Sequence, residues 1–152
     1  MFRGAANLNL DAKGRMAVPA RYRGILIDRY AGQLVVTVDP SRCLLIYPLK
    51  NWEEVERKLS RLPSLNHAAR QLQRFLIGYA SDCELDSNGR IMISQPLREY
   101  AGITKKAVLS GQGNKFELWD EERWTAKRDE WMKEVKDLDE IELPEDFGSL
   151  SL

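Results

Sequence analysis

Apolar and polar residues alternate along two stretches of this chain, NLNLDAKGRMAVP from Asn7 and DCELDSNGRIMIS from Asp82. In each stretch the alternation is interrupted once, at a D-x-x-G-R centre. Period-two alternation on both sides of a glycine-containing break predicts two half-buried strands meeting at a tight turn. Lys13-Gly14 and Asn88-Gly89 are the expected turn residues, and glycine there suits the positive φ angles of hairpin turns. A shift of 75 positions superimposes Leu8 on Cys83, Leu10 on Leu85, Asp11 on Asp86, Gly14 on Gly89, Arg15 on Arg90, Met16 on Ile91 and Val18 on Ile93. The chain repeats itself.

With small insertions and deletions the repeat continues. PAR from Pro19 aligns with PLR from Pro96, and LLIYPLKNW from Leu44 aligns with FELWDEERW from Phe116, which sets Trp52 on Trp124. Strand candidates at 33–38 and 106–110 lie between. Each copy therefore reads as hairpin, short helical turn after proline, strand, turn, strand and helix. A strand-rich unit of about 75 residues buries little surface alone, so the copies are expected to pack together into one barrel-like core.

Helical spacing is clearest between the copies. After Pro48, the series Leu49, Trp52, Val55, Leu59 and Leu62 predicts a helix that Pro63 ends. A second helix is predicted over 65–78, with Leu65, Ala69, Leu72, Phe75, Leu76 and Tyr79 near one stripe and a glycine at its end. The two make a helical hairpin joining the copies. A further helix follows Asp120 as cap, with Glu121 and Glu122 in its first turn and Trp124, Trp131, Val135 and Leu138 along one side. From Asp139 the sequence is acidic and reads as irregular. Fraying is expected there, with docking of Phe147, Leu150 and Leu152 on a neighbour as the alternative.

Composition narrows the class. At 152 residues and 17.5 kDa the chain fits one ordinary domain or two small ones, and 43% hydrophobic with 30% charged residues excludes wholesale disorder. Apolar runs such as 44–47 fall far short of the ~20 residues of a membrane span, and the N-terminus lacks a signal-peptide core. A cytoplasmic location is expected. Cys43 and Cys83 have no CxxC partner and the chain has one histidine, His67, so both thiols read as buried or incidental and no zinc site is expected.

The formal net charge of zero conceals a division. Residues 1–115 carry 18 Lys and Arg against 10 Asp and Glu, whereas 116–152 carry 5 against 13. Within 1–30 six cations (Arg3, Lys13, Arg15, Arg21, Arg23 and Arg29) face only Asp11 and Asp28. Taken alone, such a segment reads as a solvated basic face, with phosphate binding as the alternative.

Asp11 and Asp86 are the starting point for any enzymatic reading, since paired carboxylates serve as general acid and base or hold a metal. Each, however, precedes an arginine by four residues across a glycine turn. That spacing suits a carboxylate that pairs with the guanidinium and caps turn amides. No GxSxG, phosphate-cradling glycine loop or His-x-x-x-His spacing occurs. No catalytic residue, metal or cofactor is expected. Two D-x-x-G-R centres in one strand context instead set Lys13 with Arg15, and Asn88 with Arg90, at equivalent hairpin ends, as donors for phosphates or base edges.

These residues carry a resemblance. DAKGR and DSNGR, with GRMAVPARYR, MFRG, LLIYPLKNW, RFLIGYA and NKFELWD, resemble the MraZ family, duplicated members of the AbrB-like swapped-hairpin superfamily, over essentially the whole chain. The resemblance implies an α+β fold, a tandem duplicated AbrB-like swapped-hairpin β-barrel with flanking α-helices. Its parts would be a first DNA-binding repeat over 5–52, a helical connector over 53–80, a second repeat over 81–124 and a C-terminal helix and acidic tail over 125–152. It further implies a ring-shaped homo-oligomer binding double-stranded DNA at tandem direct repeats ahead of the division and cell-wall gene cluster, its own promoter included, in the nucleoid. Arg3, Lys13, Arg15, Asn88 and Arg90 would face DNA, while Asp11, Gly14, Asp86 and Gly89 structure the loops. The second copy departs from the first in offering Asn88 where the first offers Lys13.

Multivalency fits this expectation physically. Two or three cations per copy make few phosphate contacts, whereas a ring displaying several such edges to spaced repeats gains through effective concentration. A partner-binding module remains open beside it, with Trp119, Trp124 and Trp131 as aromatic anchors, unless these are ordinary core. An enzyme acting through Asp11 and Asp86 is the third class.

Overall fold

A computed structural model describes residues 1–137 of the chain. Leu138 and the tail expected to be irregular from Asp139 lie outside the described residues. The fold is α+β, and it divides into two units, Met1–Glu121 and the residues from Glu122 onward.

In the first unit the chain forms β1 (Ala5–Asn9), β2 (Arg15–Ala17), α1 (Ala20–Tyr30), β3 (Gln33–Val38) and β4 (Leu44–Pro48). The connector follows as α2 (Leu49–Ser60), α3 (His67–Leu72) and a π-helical turn, Gln73–Ile77. The second copy supplies β5 (Ser81–Glu84), β6 (Arg90–Met92), α4 (Gln95–Ala101), β7 (Lys106–Gly111) and β8 (Phe116–Asp120). The last helix, α5 (Glu121–Lys136), carries the chain into the second unit.

Strand pairing crosses between the copies. β1 pairs with β7, β5 pairs with β3, and β2 pairs with β6, all antiparallel. The arms of each expected hairpin thus pair with the other copy rather than with each other. The larger sheet runs β1-β7-β8-β4-β3-β5 and the smaller is the ribbon β2-β6. No pairing among the described residues closes the larger sheet on itself.

Equivalent side chains of both copies fill one core: Met16 with Ile91, Val18 with Ile93, and Leu34 with Leu109, each buried. Alternation along the strands delivers them to the same side. On the opposite side of β3 and β4, Val35, Leu45 and Tyr47 pack with Trp52 of α2 and with Leu76 and Ile77 of the π-helical turn. There the buried Thr37 hydroxyl donates to the Leu76 carbonyl at 2.6 Å.

Three further expectations change. The turn after Pro19 is a full helix, α1, whose Tyr22 and Leu26 are buried and which ends at Ala31 in the left-handed conformation (φ 52°). The helix expected over 65–78 starts two residues later, because the Asn66 side chain accepts from the Ala69 amide and caps it there. Its stripe is only partly covered, for Leu65 is 96% exposed and Leu72 and Tyr79 are about half exposed. Finally, the copies keep the 75-residue register through the helix after the hairpin. Arg23 Nε donates to the Val18 carbonyl at 2.7 Å and Arg98 Nε to the Ile93 carbonyl at 3.0 Å, so Arg98 corresponds to Arg23 and not to Arg21.

Candidate nucleic-acid interface

Both D-x-x-G-R centres fold into the same loop. In the first, Asp11 Oδ1 accepts the amides of Lys13 (3.0 Å) and Arg15 (2.9 Å), while Oδ2 accepts Arg15 Nε at 2.6 Å. The Asp11 amide donates to the Arg15 carbonyl and the Gly14 amide to the Asp11 carbonyl, both at 3.0 Å. In the second, Asp86 Oδ1 accepts Asn88 N (2.8 Å) and Arg90 N (2.9 Å), and Oδ2 pairs with Arg90 Nε at 3.3 Å. A carboxylate that accepts two amides and a guanidinium closes a five-residue loop without help from distant residues. The Arg15 amide foremost, then the Arg15 guanidinium and the Lys13 amide, hold the Asp11 carboxyl below the ordinary carboxylate range. The Arg90 amide, then that of Asn88, do the same for Asp86.

Positive φ within the loops falls on the glycines alone, at 84° for Gly14 and 73° for Gly89; Lys13 and Asn88 do not share it. Space forbids a side chain at either glycine. A Cβ on Gly14 would stand 2.4 Å from the Ile93 carbonyl oxygen and 2.6 Å from Arg98 Nε, and one on Gly89 would stand 2.3 Å from Arg23 Cδ. Each loop is bonded to the opposite copy as well: Ile93 N donates to Gly14 O at 2.8 Å and Val18 N to Gly89 O at 3.0 Å.

The ribbon sets the two loops against each other. Met16 faces Ile91 at its centre, Arg15 faces Met92 and Ala17 faces Arg90. Met16 and Ile91 point into the core, so alternation turns Arg15, Ala17, Arg90 and Met92 outward together. Diagonal neighbours of this kind lie about 7–8 Å apart. The outer face of the ribbon thus presents two arginines around an exposed Met92, each held through Nε by its own aspartate, which leaves the terminal NH2 groups for other acceptors.

Lys13 and Asn88 lie at the exposed tips of the loops beside these arginines. Arg3 is elsewhere. It precedes β1, its carbonyl accepts the Tyr22 hydroxyl, and its backbone lies against Gly111. The whole of β1, Ala5–Asn9, separates it along the chain from the first loop. Arg23 and Arg98, which seat the opposite loops, were not singled out from the sequence. The signal was present in the unbroken 75-residue register, which the alignment of PAR with PLR obscured.

The remaining candidates separate from this site. Trp119 is core, at 2% exposure. Trp124 and Trp131 of α5 stack edge to face at 6.5 Å between centroids. Cys43 is buried, and burial raises the half-buried Cys83 thiol above its usual range. Among the described residues no group of three His, Cys, Asp or Glu is placed to hold a metal, and no helix is long and apolar enough to cross a membrane.

Comparison with known proteins places the chain among relatives of one kind. A family model described as "MraZ protein, putative antitoxin-like" matches twice, at residues 1–75 and 76–140. The chain is 58% identical to the transcriptional regulator MraZ of Thioalkalivibrio sulfidiphilus over 134 residues, covering 88% of this chain and 89% of the relative. It is 52% identical to those of Halorhodospira halophila and Klebsiella pneumoniae subsp. pneumoniae, in both cases over the full length of both proteins.

Proposed function

The chain belongs to the MraZ family of transcriptional regulators, and from that premise we propose that it binds DNA through its two D-x-x-x-R loops as a ring-shaped homo-oligomer. The targets in this reading are tandem direct repeats ahead of the division and cell-wall gene cluster, including the chain's own promoter. The relatives are transcriptional regulators, not enzymes. No cofactor enters the reading.

One observation carries it: the β2–β6 ribbon turns Arg15 and Arg90 outward on one face while Asp11 and Asp86 fix the guanidinium planes. A two-stranded ribbon fits the major groove, and an arginine held through Nε keeps a terminal fork that matches guanine O6 and N7 or a phosphate. Lys13 and Asn88 at the loop tips add backbone contacts that set register. Arg3, at the far end of β1, serves as an outlying phosphate contact. The same premise reads the two sheets together as a swapped-hairpin barrel, with the ribbon lying between the β1 and β5 edges. Such a protein works in the cytoplasm, at the nucleoid.

Each subunit offers few phosphate contacts, so affinity for an isolated repeat is low and array binding gains by multivalency. Fluorescence anisotropy on duplexes carrying one, two or four direct repeats tests this. Wild type should prefer arrays by at least about tenfold over a single repeat, and by more over scrambled DNA. Equal, weak binding to all duplexes by folded, assembled protein overturns the reading.

A further inference from the structure

Between its two arginines the outer face of the ribbon carries a long apolar side chain. Met92 of β6 is 59% exposed, and among the described residues it is the one large apolar side chain that a strand leaves exposed. A thioether gains nothing from a phosphate, so charge alone gives this position no use on a DNA-facing surface.

The neighbours of Met92 narrow what it can meet. Arg15 stands directly opposite on β2, and Arg90 lies two residues away on the same strand and the same face. Both arginines are anchored through Nε, by Asp11 and Asp86. An apolar protein surface covering Met92 would also bury two guanidinium groups, which is costly without carboxylates to meet them. The major groove of DNA imposes no such cost. It sets acceptors, guanine O6 and N7, beside an apolar knob, the C5-methyl group of thymine. Directly opposed residues on paired strands have Cβ atoms about 4.5–5.5 Å apart, and successive bases on a strand rise by about 3.4 Å, so Arg15 and Met92 reach the same or neighbouring base pairs.

The duplication makes this face asymmetric. The 75-residue shift sets Arg15 on Arg90 but Ala17 on Met92. The arginines thus occupy one diagonal of the ribbon, and Ala17 and Met92 the other. Arginines alone present the same pattern in either orientation of the ribbon along the groove. Direct repeats all run one way, and each offers its subunit a single polarity. A methyl group at 17 and a long thioether at 92 differ in reach, which tells the two orientations apart.

We infer that Met92 is a specificity-determining residue whose thioether packs on the C5-methyl of a thymine within about two base pairs of the guanine read by Arg15. The inference rests on the DNA-binding reading above and deepens it, since the ribbon then reads a guanine and a thymine in a fixed order.

Thymine and deoxyuridine differ by that methyl alone. Anisotropy titrations compare repeat-array duplexes carrying thymine or deoxyuridine within the repeats, using full-length wild type, Met92→Ala and Met92→Leu. Position 92 is exposed, and unchanged melting confirms the fold. Deoxyuridine should weaken wild type by about fourfold per engaged repeat, the factor for one buried methyl group. Met92→Ala should lose as much on thymine duplexes and nothing more on deoxyuridine ones, with its salt slope unchanged because no phosphate contact is lost. Met92→Leu should keep the thymine preference. Wild type that prefers repeats to scrambled DNA but ignores the methyl overturns the inference and leaves the DNA-binding reading standing. A thymine preference that survives in full in Met92→Ala does the same, and assigns the methyl to another group. A loss in Met92→Ala of equal size on both duplexes also overturns the inference, in favour of a wedge between base steps. Wild type with no preference for repeats over scrambled DNA overturns the inference and the DNA-binding reading together.

Discussion

Gly14 and Arg98 meet across the two halves of the chain: a Cβ on Gly14 would stand 2.6 Å from Arg98 Nε, which itself donates to the Ile93 carbonyl. Gly89 and Arg23 repeat the relationship with the copies exchanged. Each D-x-x-G-R loop thus rests on an arginine of the other copy. Truncating Arg98 should disturb loop 11–15, and truncating Arg23 should disturb loop 86–90. Amide chemical shifts and hydrogen exchange of Arg98→Ala and Arg23→Ala read this directly. Larger changes in the loop of the arginine's own copy would contradict it.

The glycines themselves are predicted to be intolerant. Gly14→Ala meets both a left-handed φ of 84° and the Ile93 carbonyl, and should cost about 1–3 kcal/mol in thermal or urea unfolding. Gly24→Ala supplies the contrast. Gly24 lies inside α1 with no atom within 4 Å of an added Cβ, so alanine there should stabilise by up to about 1 kcal/mol.

Asp11→Asn separates loop positioning from bulk charge. The substitution removes a negative charge, so electrostatic attraction alone would tighten DNA binding. The carboxylate, however, holds the Arg15 guanidinium and two loop amides. Affinity for repeat DNA should therefore fall while non-specific binding in low salt holds or rises. Tighter specific binding would remove the positioning role of Asp11.

Acid should release the loops late. Hydrogen bonds from the Arg15 and Arg90 amides lower the Asp11 and Asp86 carboxyls from their ordinary value of 3.8. A depressed folded-state pKa gives a contribution that is complete above the unfolded-state value and disappears as pH falls through the folded one. Loop order should hold from pH 7 down to about pH 4 and be lost below it. Carboxyl carbon shifts followed by NMR give both midpoints. A midpoint above the ordinary value contradicts the assignment.

How much of this was legible in the sequence depends on the range of the interaction. The Asp11 and Asp86 loops are local, closed within five residues, and their residue types gave them away. Strands 33–38 and 106–110, the helix after Pro48 and the inter-copy repeat were readable from alternation and helical spacing, because burial on one face leaves that period. The alternation could not tell which strand pairs with which. That β1 joins β7 is fixed by cores shared over a hundred residues apart, and only the resemblance anticipated the exchange. The roles of Arg23 and Arg98 escaped for the same reason, since their contacts with Gly89 and Gly14 lie in the opposite copy. The half-exposed stripe of α3 escaped because helical spacing marks apolar residues without saying what covers them.

The most direct test of the central claim is a double-mutant cycle of Arg15→Ala and Arg90→Ala on a repeat-array duplex, followed by anisotropy across a salt series. If both arginines read DNA from one ribbon face, each single variant should weaken specific binding by roughly 5–150-fold per engaged site, as for loss of a bidentate contact. The double variant should retain only shallow, sequence-independent binding, with melting unchanged throughout. Wild-type affinity and salt slope in both single variants, with fold and assembly intact, would contradict the claim that these loops are the DNA-binding surface.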